Sequence, residues 1–229
     1  VFQVLYLDNH LLTVYKSAGV LSQSDITGDQ DLLTQGKIFL KNKFNKPGNV
    51  FLGLVHRLDR PVSGVMVFGR TSKAAARLTQ QFKNHNVEKK YMAIVEGHLE
   101  GEGRWKDHLI KDGRNARVVP AAHPKGKVAL LSWKALAHQD NTTLVSVELQ
   151  TGRAHQIRLQ FSSRGYPLLG DLRYHSTRSF DGQNLALHAG VLSVDHPTTG
   201  KRMRWEAAPP ASWANWFPQF HDLHHWKPA

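Results

Sequence analysis

The sequence predicts an α+β protein in which short strands outnumber helices. Three observations lead there. Apolar and polar residues alternate over many segments of five to nine residues, bounded by Gly, Pro, Asn and Asp. Helical spacing of apolar residues is confined to a few short stretches. The 229 residues, 41% of them hydrophobic, suffice for one core or two small lobes sharing one. No linker, internal repeat or low-complexity segment interrupts the chain, so a single domain spanning 1–229 is expected.

Val1 to Asp8 and Leu11 to Lys16 read as two strands around the turn Asp8-Asn9-His10, followed by a glycine turn, Lys16-Ser17-Ala18-Gly19-Val20-Leu21. Asp31 to Phe44 places Leu32, Leu33, Phe39, Leu40 and Phe44 near helical spacing, with Lys41, Lys43 and Lys46 toward its end, where cations complement the helix dipole. Pro47-Gly48 closes it.

Two strand-like apolar runs, Val50–Val55 and Val65–Phe68, flank His56-Arg57-Leu58-Asp59-Arg60-Pro61-Val62-Ser63-Gly64. Pro61, Ser63 and Gly64 break the pattern, which puts Asp59 at a strand end or in the turn. Arg57 and Arg60 beside it favour the ionised carboxylate. That suits a nucleophile or fixed anion better than a general acid; a surface turn of solvated charges has the same residues. Thr71 or Ser72 then caps a helix with Ala75, Leu78, Phe82 and His85 on one stripe.

Lys89 to Gly97 alternates as a strand, with Tyr91, Ala93 and Val95 on one face and Met92 and Ile94 on the other. Lys89, Lys90 and Tyr91 combine charge with an aromatic ring, as a stacked base beside phosphate requires. Leu99 to Lys127 is rich in glycine and charge; short strands near Trp105–Ile110 and Ala116–Val119 are expected, in a peripheral hairpin that touches a ligand or in a solvated insertion. Val128–Leu136 and Thr142–Leu149 read as an antiparallel pair across Gln139-Asp140-Asn141.

The densest pattern is Leu149-Gln150-Thr151-Gly152-Arg153-Ala154-His155-Gln156-Ile157-Arg158-Leu159-Gln160. A strand ends at Thr151-Gly152, and a helix starting near Ala154 runs to Gly165, with Ile157, Phe161 and the stem of Arg164 on one face. Strand, glycine and helix N-terminus make an anion site, with Arg153, His155, Gln156 and Arg158 as donors near it. Leu185 to Asp195 alternates as a strand and His196-Pro197-Thr198-Thr199-Gly200 turns it into Lys201–Glu206. Pro209-Pro210-Ala211 opens a last short helix carrying Trp213, Trp216 and Phe217. His221, His224 and His225 beyond it have helical metal-ligand spacing, but with no acidic motif nearby no metal is expected.

Lys+Arg is 30 and Asp+Glu is 18, a net charge of +12 spread along the chain. Such a surface attracts polyanions, nucleic acid above all. There is no cysteine, which excludes disulfides, thiolate metal sites and a cysteine nucleophile. No apolar run approaches the roughly 20 residues that span a bilayer, and neither a lysine-rich amphipathic helix nor a signal peptide is visible. A cytoplasmic, monomeric protein with no membrane partner is expected. The chain begins at Val1 and not Met, which leaves open whether residues precede it.

Several of these stretches resemble one family, the RluA-type pseudouridine synthases. His56-Arg57-Leu58-Asp59 is similar to its aspartate signature. Lys89-Lys90-Tyr91-Met92-Ala93-Ile94-Val95-Glu96-Gly97 is similar to its second block, and Leu149 to Arg158 to its Leu-x-Thr-Gly-Arg-x-His-Gln-Ile-Arg run. Pro167-Leu168-Leu169-Gly170-Asp171 resembles its Pro-x-x-Gly-Asp turn, and Leu187-His188-Ala189 with His196-Pro197 its C-terminal pattern. The blocks stand in family order from about Leu5 to about Trp205. Two positions depart: Ser17 stands where proline usually follows the lysine, and Val62 where threonine is usual.

The resemblance implies the pseudouridine synthase catalytic fold, a long mixed, mostly antiparallel sheet flanked by helices and split by a basic cleft, without the S4 domain of some relatives. It implies isomerisation of uridine to pseudouridine in ribosomal or transfer RNA, with no cofactor. In the family's pattern Asp59 is the catalytic carboxylate, Arg158 pairs with it, and Tyr91 stacks on the flipped base. Arg57 would fill the gap left in the RNA stack. Arg60, Lys89, Lys90, Arg153, His155 and Gln156 are candidate RNA contacts. Covalent attack by Asp59 and abstraction of a sugar proton both remain open. So do two other readings, an inert RNA-binding or ribosome-assembly protein of this fold and a hydrolase of the nucleoside bond.

Overall fold

The computed structural model describes residues 2–113, 115–182 and 184–218, which fall into two compact units. The first takes the chain up to Glu88 together with Val191–Ala207; the second runs over Lys89–Gly190 and resumes at Ala208. His221, His224 and His225 lie outside the described residues.

The first unit begins with an antiparallel hairpin of β1 (Gln3–Leu7) and β2 (Leu11–Lys16). Asp8 sets its turn by accepting from the backbone N–H groups of His10 and Leu11 at 2.8 and 2.7 Å. β2 pairs antiparallel with β4 (Ser63–Gly69), which is buried along its whole length. The run before Asp59 yields only the two-residue strand β3 (Gly53–Leu54), against β4. Val50 to Leu52 stay outside it, and a Cβ on Gly53 would lie 2.5 Å from Ala75 Cβ. This close approach is where the following helix lies on the sheet.

Helix α1 (Leu32–Lys43) starts at Asp31, whose carboxylate accepts from Thr34 N at 3.0 Å, and it ends on Lys41 and Lys43. Helix α2 (Ser72–Lys83) starts at Thr71, whose hydroxyl accepts from Ala74 N at 3.1 Å. Each such cap contributes about 1 kcal/mol. α2 buries Ala74 and Leu78. His85, expected on its stripe, is exposed beyond the helix end at φ +60°. In the first unit's core Leu11, Val65, Val67, Leu78 and Val87 meet Leu192 and Val194 of β10 (Leu187–Asp195) and Trp205 of β11 (Arg202–Glu206). β10 and β11 form the antiparallel hairpin expected around His196-Pro197. Full burial of each such side chain is worth about 1.5–3 kcal/mol.

In the second unit, β5 (Glu88–Glu96), β9 (Thr142–Leu149), β8 (Lys127–Gln139), β6 (Glu102–Asp112) and β7 (Asn115–Val119) are neighbours in that order, and each of these pairs is antiparallel. The strands of the glycine-rich region run longer than expected and carry part of the core: Leu109 and Ala116 pack with Ala129 of β8, Leu159 of α3 (Gln156–Ser162) and Tyr174. A second cluster joins Met92, Ile94, Leu144, Leu169 and Ala186 to Trp213 of the last short 3-10 helix (Ala211–Asn215) and to Phe217 just beyond it. Among the described residues no helix is long and apolar enough to cross a membrane.

Candidate active site

The residues singled out by the sequence fall into two groups, one in each unit. In the first unit, the loop from His56 to Val62 is fixed by bonds to its backbone. His56 stacks on Phe82 with ring centroids 4.6 Å apart, and its Nε2 accepts from Val67 N at 3.1 Å. Buried Leu58 is clasped from both sides by Ser22, whose hydroxyl donates to Leu58 O at 2.7 Å and accepts from Leu58 N at 3.1 Å. Asp59 O accepts from Val62 N at 3.0 Å, closing a turn that leaves the half-buried Asp59 at its start. Val62, at 2% exposure, points its apolar side chain into the core where the family usually has a hydroxyl.

The sequence did not single out the residue under this turn. Lys16 is 0% exposed, and its Nζ donates to Ser17 O, Val20 O and Arg60 O at 3.1, 2.7 and 3.1 Å. One ammonium thus ties the glycine turn to the Asp59 turn. Burial lowers its pKa to about 7; Asp59 pulls it upward and Arg60 pushes it further down. A lysine ending a strand beside Ser-Ala-Gly was the available signal, and burial could not be read from it.

Arg57 is exposed. Arg60 is engaged within its own unit: its Nε donates to Gly19 O at 3.0 Å and its Nη1 pairs with Asp29 at 2.7 Å on the surface. Arg60, expected as an RNA contact, also pins the turn.

In the second unit, the helix start expected near Ala154 is displaced to Gln156. His155 takes a left-handed backbone, φ +53°, and its side chain does not cap the helix. α3 has only seven residues. Gln156 is 2% exposed, and its amide is used inside the unit. Its Oε1 accepts from Thr151 Oγ1 at 2.7 Å and Arg153 N at 3.0 Å, and its Nε2 donates to Leu130 O at 3.0 Å. Gln156, expected as an RNA contact, holds the Thr151–Arg153 bend. His155 Nδ1 is hydrogen-bonded to the Tyr174 hydroxyl at 2.6 Å.

Arg158 is held most firmly. Its Nε and Nη2 donate to the two carboxylate oxygens of Asp171 at 2.7 and 2.8 Å, with side-chain exposures of 7% and 1%. Its guanidinium carbon lies 4.9 Å from the Tyr174 ring centroid. A bidentate, buried and stacked arginine has its plane fixed in advance. The sequence showed the Gly170-Asp171 turn but not this partnership, because thirteen residues separate the two. Tyr91 lies half-buried on β5, opposite Val147, and Lys90 lies opposite Glu148. Lys89 is buried, and burial with the nearby Arg153 lowers its pKa to about 8. Arg153 donates from Nε to Val128 O at 2.8 Å. Among the described residues no group of three or more His, Asp or Glu is gathered as a metal site.

Compared with known proteins, residues 10–163 match the family model described as RNA pseudouridylate synthase. The chain belongs to that family. It is 36% identical over 208 residues to the dual-specificity RNA pseudouridine synthase RluA of Haemophilus influenzae, covering 89% of this chain and 91% of that one. It is 32% identical over 219 residues to the ribosomal large subunit pseudouridine synthase D of Zymomonas mobilis, covering 91% and 69%. Among solved structures its fold is similar to that of Human RNA Pseudouridylate Synthase Domain Containing 4, with a TM-score of 0.78 at 22% identity over 99% of this chain and 95% of that one. The expected family and α+β synthase fold are thus borne out, and the activity that goes with the family is isomerisation of uridine to pseudouridine in RNA.

Proposed function

We propose that this pseudouridine synthase acts on specific uridines of ribosomal or transfer RNA, with Asp59 as its essential carboxylate. The reading is carried by the match over residues 10–163, which contains Asp59, Tyr91 and Arg158 together. The relatives it is similar to include a ribosomal large subunit enzyme and a dual-specificity enzyme.

In the reaction the C1′–N1 bond of uridine breaks, the uracil turns, and a C1′–C5 bond forms. The proton on C5 is lost and N1 gains one, so no redox equivalent and no cofactor is called for. A stacked uridine hides its glycosidic bond, and flipping it out costs a few kcal/mol. Contacts between the +12 surface and phosphates offset that cost. Asp59 attacks the nucleotide or takes a sugar proton. Arg158, its plane set by Asp171 and Tyr174, is the second catalytic side chain. Tyr91 stacks on the flipped base and handles the C5 proton, and exposed Arg57 fills the vacated place in the RNA stack. Lys89, Lys90, Arg153 and His155 face the RNA backbone.

The test is a map of pseudouridine in total RNA from cells with and without the gene, repeated with purified protein on ribosomal and transfer RNA. Disappearance of defined pseudouridines, restored by the purified protein, is expected. An unchanged map would overturn the substrate assignment.

A further inference from the structure

Lys89, placed above among the residues facing the RNA backbone, is a buried cation of the second unit. It is more than nine-tenths buried, at 8% exposure, and its ammonium has no hydrogen-bond or ion-pair partner among the described residues. The charge acting on it is that of Arg153, of the same sign. Two cations held together without a counter-ion are costly to fold around, and burying one of them adds to the cost. Lys16, by contrast, is fully buried but satisfied by three carbonyls.

The space before the ammonium is defined by a glycine. A Cβ on Gly152 would lie 3.6 Å from Lys89 Nζ, so the bare Cα at the Thr151-Gly152 bend leaves open the volume that any side chain would take. The bend is rigid: Thr151, Arg153 N and Leu130 O are tied together through Gln156, and Arg153 Nε is tied to Val128 O. Gly152 itself is exposed, so the space opens to solvent. Strand alternation puts Lys89 on the same face of β5 as Tyr91, about 7 Å along the strand at about 3.4 Å per residue.

We propose that Lys89, Arg153 and the open Gly152 form a subsite for one phosphodiester of the RNA strand, next to the nucleotide that stacks on Tyr91. The assignment rests on the RNA substrate of the preceding subsection. An incoming phosphate supplies the missing counter-ion to both cations, and its oxygens accept from the ammonium in the space the glycine leaves. Because the lysine is largely buried before RNA arrives, this contact is stronger than one to a solvated surface lysine.

The test measures binding of a fluorescein-labelled twelve-nucleotide oligouridylate to the full chain over a range of KCl concentrations, with Lys89→Gln, Lys89→Arg and Gly152→Ala. Loss of one phosphate contact to a single strand lowers the salt slope by about 0.7. Lys89→Gln should show that loss and Lys89→Arg should not. Gly152→Ala removes no charge, and its Cβ meets Lys89 at ordinary contact distance, so it should fold normally and show the same loss. A second arm follows the Lys89 ammonium by NMR in protein carrying 15N-lysine. Inorganic phosphate should raise its pKa from about 8 in the wild type and not in Gly152→Ala. Unchanged slopes in both Lys89→Gln and Gly152→Ala would overturn the proposal. So would a response to inorganic phosphate without any change of slope, which marks a free-anion site. Neither arm needs turnover, so failure here is separate from failure to form pseudouridine.

Discussion

Replacing Asp171 by alanine would leave the Arg158 guanidinium buried without its carboxylate. The pair is bidentate at 2.7 and 2.8 Å, and the two side chains are 7% and 1% exposed. Removing one partner of so buried a pair costs about 3–5 kcal/mol, most of it the penalty of the charge left behind. Against the roughly 5–15 kcal/mol of a typical domain that is a large share. With a urea dependence of about 2 kcal/mol per molar, the unfolding midpoint should fall by roughly 2 M. Asp171→Leu combined with Arg158→Met removes both charges and should recover most of the loss, since apolar replacements of buried pairs are often neutral. Folded Asp171→Ala should also lose activity, because the arginine plane is no longer fixed. A cost below about 1 kcal/mol, or a double variant no more stable than the single one, would refute the reasoning.

Three further outcomes follow from the packing and the buried lysines. Gly69→Ala brings a Cβ to 2.5 Å from Ala75 N of the helix lying on β4, and should cost about 1–3 kcal/mol in urea unfolding. Thr71→Ala removes the bond to Ala74 N and should cost about 1 kcal/mol in the same assay. Lys16 gives stability a pH dependence: its folded pKa is about 7 and its ordinary value is 10.5. Between these the unfolded chain binds the extra proton, so stability should rise with pH from about 7 to 10.5 by on the order of a few kcal/mol. Lys16→Met should flatten that rise, leaving the smaller share of Lys89; an unaltered profile from unfolding curves at several pH values would contradict it.

What the sequence disclosed and what it withheld have a common physical basis. Caps, turns and strand alternation are local, so Asp31, Thr71, the Asp8 turn and the β10–β11 hairpin were legible from neighbouring residues. The start of the seven-residue α3 was drawn two residues too early because nothing in the letters announces a left-handed histidine at 155. Motif order marked Asp59, Tyr91 and Arg158, but motifs do not report burial. Gln156 looked like a donor for RNA and is spent on Thr151, Arg153 and Leu130. Lys16 looked like a strand end and is a three-carbonyl clasp under the Asp59 turn. Asp171 looked like a turn residue and is the anchor of Arg158. Each of these depends on contacts between segments distant along the chain, which spacing alone cannot reveal.

The account turns on one carboxylate, and Asp59→Asn tests it most directly. The variant changes a single oxygen to nitrogen on a loop whose backbone bonds to Ser22 and Val62 remain. Purified variant and wild type would be incubated with the RNA shown to be modified, and pseudouridine counted at the target site, with RNA binding measured in parallel. The account predicts undiminished binding and no detectable pseudouridine; turnover near the wild-type level would contradict it.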